Sequence, residues 1–153
     1  MKRTKLLFLL AGLSVLLLLP LQAVGSSKDI KSLMGENFQN LHVILYNLIS
    51  ANYKELPGDA AIIEDHAIKL LQNLPESANT KDLQERFVTY ANMLRMSSHH
   101  LNTVGSELVK RDQKQSEKGK LNIDYLRVVA AEHFGQMITT CVLCHNQFRR
   151  RAL

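Results

Sequence analysis

From residue 26 onward the apolar side chains of this chain recur every three or four positions, and no stretch sustains the alternation of a half-buried strand. Glycine and proline are few, seven and three in 153 residues, and Leu56-Pro57-Gly58, Pro75 and Gly119 punctuate the periodic segments. A chain written this way can bury its apolar faces only by packing helix on helix. The spacing predicts a first helix from about Lys28 to Tyr53, opened by a capping-box-like Ser26 and Asp29, with Ile30, Met34, Phe38, Leu41, Leu45, Leu48 and Ile49 facing inward. Asp59 is expected to cap a second helix that buries Ile62, Ile63, Ala67, Leu70, Leu71 and Leu74 before Pro75. Thr80 opens a long third helix through Leu83, Phe87, Tyr90, Met93, Leu94, Leu101, Val104 and Leu108. After a charged stretch from Lys110 to Lys120, with a loop at Gly119, Asn122 is expected to cap a fourth helix. That helix carries Leu126, Val129, Phe134, Met137, Ile138 and Cys141 and ends beyond Phe148. Four amphipathic helices with short connections make the expected class all-α, an antiparallel four-helix bundle with room for a cofactor between facing helices.

Residues 1–25 stand apart from that pattern. Lys2, Arg3 and Lys5 precede an apolar run, Leu6 to Leu19, that Pro20 ends, and Ala23-Val24-Gly25 supplies the small residues a signal peptidase needs. The run is shorter than the roughly 20 residues of a spanning helix. We therefore read residues 1–25 as a secretory signal peptide cleaved after Gly25, with Ala23 the other site, and residues 26–153 as one exported domain with no membrane contact after cleavage. Of the formal +5 charge, three positives sit at Lys2, Arg3 and Lys5 with no acid among them, so the mature chain is only weakly basic. A nucleic-acid partner loses its electrostatic footprint with the leader.

Export sharpens the question posed by the two cysteines. In an oxidising compartment cysteines usually pair as structural disulfides. Cys141 and Cys144 are the only two and stand three positions apart, where a bridge would close a trivially short loop. Cys141-Val142-Leu143-Cys144-His145 is instead the CxxCH attachment signature of a c-type haem. On a helix, positions three apart project from nearly one face, so both sulfurs can meet one porphyrin edge as thioethers and His145 can reach the iron. A thioredoxin-like dithiol would sit at a helix N-terminus, whereas this pair lies near a C-terminus. A zinc site would need a further ligand, for which His99 or His100 are the nearest candidates, and lacks a second ligand pair.

Residues Cys141 to Arg149 read C-V-L-C-H-N-Q-F-R. They resemble the C-x-x-C-H-x-x-(Phe/Tyr)-Arg ending of the cytochrome c-prime group, the class II c-type cytochromes, whose haem motif lies near the end of the last helix of a four-helix bundle. The specific match covers these nine residues. The resemblance implies one covalent haem c near the C-terminal helix, with Cys141 and Cys144 as thioether attachments and His145 as the axial iron ligand. It also implies Phe148 packed near the haem and Arg149 at its edge or by the axial histidine. In that group the first helix covers the other side of the iron. A methionine there suits electron transfer; an apolar residue leaves the iron open to small gases.

Met34, on the apolar stripe of the first helix, is the natural sixth ligand, and Met is also a common core gap-filler. An ungapped alignment of register points instead to Lys31, which would first have to lose its proton. His42 and His66 read as surface residues on helix flanks, and His133 as core or rim. His99 and His100 sit in the third helix but, being adjacent, point about 100° apart. The expected function is periplasmic electron transfer by a monohaem cytochrome that is not an enzyme, with redox proteins as partners. The alternative is binding or sequestering nitric oxide or carbon monoxide at five-coordinate iron. Arg149-Arg150-Arg151 could steer an acidic redox partner, and the resemblance implies a homodimer through the first two helices.

Overall fold

The computed structural model of the protein describes residues 27–112 and 117–148, with side-chain detail for residues 29–112 and 123–148. The proposed leader, the capping residue Ser26 and Arg149 lie outside the described residues. The class is all-α: four helices and, among the described residues, no strand. They are α1 (Ser27–Ile49), α2 (Leu56–Gln72), α3 (Lys81–Asp112) and α4 (Glu117–Phe148). Each contacts two neighbours, α1 to α2, α2 to α3, α3 to α4, and α4 back to α1. Ile44, Leu56, Ile63, Leu70, Leu101, Leu108 and Met137 are sealed between them. No described helix is long and apolar enough to cross a membrane.

The ends of the helices follow local chemistry, and three of them differ from the pattern. Helix α1 stops at Ile49 rather than Tyr53, because Ala51 adopts the left-handed conformation at φ 56°. The N–H of Asn52 then bonds the carbonyl of Asn47 at 2.9 Å and that of Ala51 bonds Leu48 at 3.4 Å, a Schellman motif. Helix α2 begins at Leu56, three residues before Asp59, since Pro57 suits a first turn, where its missing N–H costs nothing. The Asp59 carboxylate is therefore free to accept a hydrogen bond from Asn47 Nδ2 at 2.9 Å, and Asn47 Oδ1 accepts from Asn52. Helix α4 is already helical at Glu117, so neither a loop at Gly119 nor a cap at Asn122 is present. Glu117, Lys118, Lys120 and Leu121 are good helix formers, and one glycine among them costs only about 1 kcal/mol. The expected start of α3 is observed: Thr80 Oγ1 accepts from the N–H of Leu83, and its carbonyl from that of Gln84.

The register of α1 is the larger correction. Its buried line runs through Asn37, Leu41, Ile44 and Asn47, while Phe38, Leu45 and Ile49 face solvent at 61%, 42% and 78% exposure. Two asparagines occupy the inner face because each finds polar partners there; a hydropathy pattern scores them as outside and shifts the stripe toward their apolar neighbours. Asn37 meets His66, whose ring is buried between α1 and α2 rather than at the surface. Ile62, Met93 and Ile138, expected inward, are instead about two-fifths exposed.

Candidate functional site

The last two turns of α4 carry Thr140, Cys141, Cys144 and His145, and all four line one groove. Phe87, Tyr90, Ala91 and Leu94 of α3 form its opposite wall, with Leu70 of α2 and Met34 of α1. All four helices thus contribute. The spacing on α4 is why one helix can present three of these groups together: Cys144 and His145 stand three and four residues after Cys141, on the same face. Ala91, one turn after Phe87, keeps the wall low where a larger side chain would fill the space. The groove is open to solvent, and only about 20 Å³ of it is clear of the lining side chains, so a group larger than water enters only as they part.

Its chemistry is almost wholly apolar. Thr140 spends its hydroxyl on the carbonyl of Gln136 at 2.8 Å. Cys144 is buried, Cys141 half-buried and His145 exposed, and the two thiols are free rather than bridged. Burial pushes the Cys144 thiol up to about 12, with the neighbouring Cys141 adding to the shift, and burial raises Cys141 as well. Neither thiol is a nucleophilic thiolate at neutral pH, and their place near a helix C-terminus works in the same direction, since that end of the dipole repels negative charge. Among the described residues no three His, Cys, Asp or Glu side chains converge as a metal cage.

The residues singled out in the sequence divide cleanly. Cys141, Cys144, His145 and Met34 come together in the groove. Lys31 is exposed and is not among the lining side chains. Phe148 does not line the groove either; it is buried behind it, edge-on to Phe87 at 5.5 Å and to Tyr90 at 6.5 Å, and so braces two of the lining rings. His42 is exposed and packs on Phe38, and His99 and His100 are exposed on another face. The sequence pattern marks Leu70 only as core and gives Ala91 and Thr140 no signal: a small residue shapes a groove by what it leaves empty, which no hydropathy pattern records.

No protein-family model matches this chain, and neither the curated proteins nor the solved structures contain a match to it. The resemblance to the cytochrome c-prime group therefore rests on the nine motif residues and on the donor set in the groove. A porphyrin attached through thioethers asks for two unpaired thiols on one helix face, an imidazole one turn on and apolar surroundings, and the donor types and lining side chains present are of that kind.

Proposed function

We propose that the protein is an exported electron-transfer cytochrome of the c-prime type, holding one haem c through Cys141 and Cys144 with His145 as the axial ligand. The observation that carries the reading is the apolar groove in which both thiols and the imidazole of α4 meet Met34 of α1. The closed circuit of helix contacts, with short connections between α1 and α2 and between α2 and α3, supports an antiparallel four-helix bundle as its frame. A haem bound there would supply a one-electron iron couple whose potential the axial ligands and burial set.

In this reading the chain's own residues divide the work. Phe87, Tyr90, Ala91, Leu94 and Leu70 exclude water from the ring faces, and Phe148 holds Phe87 and Tyr90 in place. His145 would hold the iron, and Met34, the candidate second ligand, would raise its potential and close it to gases. Residues 1–25 direct export to the periplasm, where redox proteins are the partners. The exposed Phe38, Tyr46 and Ile49 on α1 support a homodimer through that helix.

The test is a visible spectrum, oxidised and reduced, of protein expressed with the haem-attachment machinery. Colour that survives acid–acetone extraction supports the reading, and a colourless protein ends it. A low-spin spectrum that ignores carbon monoxide and turns high-spin in Met34→Ala identifies Met34 as the sixth ligand. A wild-type spectrum that shifts with carbon monoxide replaces electron transfer with gas binding.

A further inference from the structure

Away from the groove, three imidazoles meet where α3 and α4 pack together. His100 of α3 stacks on His133 of α4 with ring centroids 5.1 Å apart and 24° between planes, and His99 touches His100 at 5.9 Å. His133 Nδ1 stands 3.3 Å from the Gln136 side-chain oxygen, and His99 Nδ1 stands 3.1 Å from the Glu64 carboxylate of α2. The Gln136 oxygen favours the His133 tautomer that carries its proton on Nδ1 and leaves Nε2 with its lone pair. That is the arrangement an oxygen partner imposes on a metal-binding histidine, fixing both tautomer and ring orientation.

We propose that His100 and His133 form a bis-imidazole site for a borderline transition-metal ion, copper(II) before nickel or zinc. Imidazole nitrogens suit all three, and copper(II) heads the divalent affinity order. His100 is exposed and His133 half-buried, so the site is open to ions from solution. The exposed His100 ring can turn about its side-chain torsions from stacking to chelation, and water completes the shell. Because the two ligands belong to different helices, a bound ion ties α3 to α4.

The experiment is a copper(II) titration of the purified protein followed by electron paramagnetic resonance, beside the same titration of His100→Asn, His133→Asn, His42→Asn and Cys141→Ser/Cys144→Ser. We expect one equivalent of copper with nitrogen hyperfine splitting. Affinity should fall about tenfold or more in each of the His100 and His133 variants and hold in the other two. Gln136→Leu should weaken binding by about tenfold, the usual loss when an oxygen partner of a ligating histidine is removed. Circular dichroism of each variant reports folding. Should a variant unfold, His100→Gln and His133→Gln repeat the comparison with longer amide side chains, and loss of copper in both folded variants is again expected. Binding that ignores His100 and His133, or that disappears with the cysteines, overturns the proposal. Neither result bears on the haem reading, since the cysteine-free variant carries no haem and still tests the copper site.

Discussion

His66 Nδ1 lies 2.8 Å from Asn37 Oδ1, joining two buried side chains across the α1–α2 contact. The other ring nitrogen stands 3.4 Å from the Glu36 carboxylate at the rim. Asn37 Nδ2 has no hydrogen-bond partner among the described residues, so the Asn37 amide depends on His66 for its one side-chain bond. Truncating His66 leaves the buried Asn37 amide unpaired, and truncating Asn37 leaves the buried His66 ring with only its rim contact to Glu36. Asn37→Ala and His66→Ala should each cost about 2–4 kcal/mol, combining the lost bond with a cavity. Because they share one bond, the double variant should lose about 1 kcal/mol less than the sum. Urea denaturation of the four proteins measures this, and strict additivity would refute the pairing.

Ala51 holds a left-handed conformation that glycine adopts freely. An L-residue there pays about 1–2 kcal/mol, and glycine gives back up to about 1 kcal/mol through its freer unfolded chain. Ala51→Gly should therefore stabilise the protein by about 0.5–1 kcal/mol. A lower midpoint of thermal unfolding in the variant would show that the cap is not formed.

The raised thiols of Cys141 and Cys144 make a prediction for the haem-free protein. With Cys144 at about 12, only about one molecule in ten thousand carries its thiolate at pH 8. Iodoacetamide should leave Cys144 unmodified until the chain unfolds, and rapid labelling of folded protein would contradict its burial. The sign for stability follows from the same shift. The folded pKa lies above the ordinary thiol value near 9, so the contribution is full below pH 9 and is lost as pH climbs toward 12. Cys144→Ser should blunt that alkaline destabilisation.

Phe148 closes the base of the groove through its edge contacts with Phe87 and Tyr90. Phe148→Ala removes a buried ring and both contacts, and should cost about 3–5 kcal/mol. Phe148→Leu keeps most of the volume and should cost under about 2 kcal/mol. Denaturant midpoints at constant slope check both; similar losses from the two would mean the edge contacts, rather than the volume, carry the effect.

Much of the helical order was legible from the spacing of apolar residues alone. Thr80 announced the start of α3, and the CxxCH residues fell on the last turns of the last helix, where spacing by three and four makes them one face. Met34 was singled out for its place on a stripe and does face the groove. What misled was polarity inside. Asn37, Asn47 and His66 are buried because each meets a complementary group from a distant part of the chain, and hydropathy read along one helix has no access to that partner.

The chain's own pattern thus determined its class, since residues that recur at helical spacing with few breakers leave helices as the only way to bury apolar surface. It determined as well that two thiols and an imidazole share one helical face, because that depends on neighbours within a turn. Which side of α1 turns inward, how His66 is sheltered, and that Met34 and Ala91 shape the same groove as Cys141 were decided only by tertiary packing. Those outcomes rest on contacts between segments tens of residues apart, where one hydrogen bond or one small side chain outweighs the local preference for polar outside and apolar within.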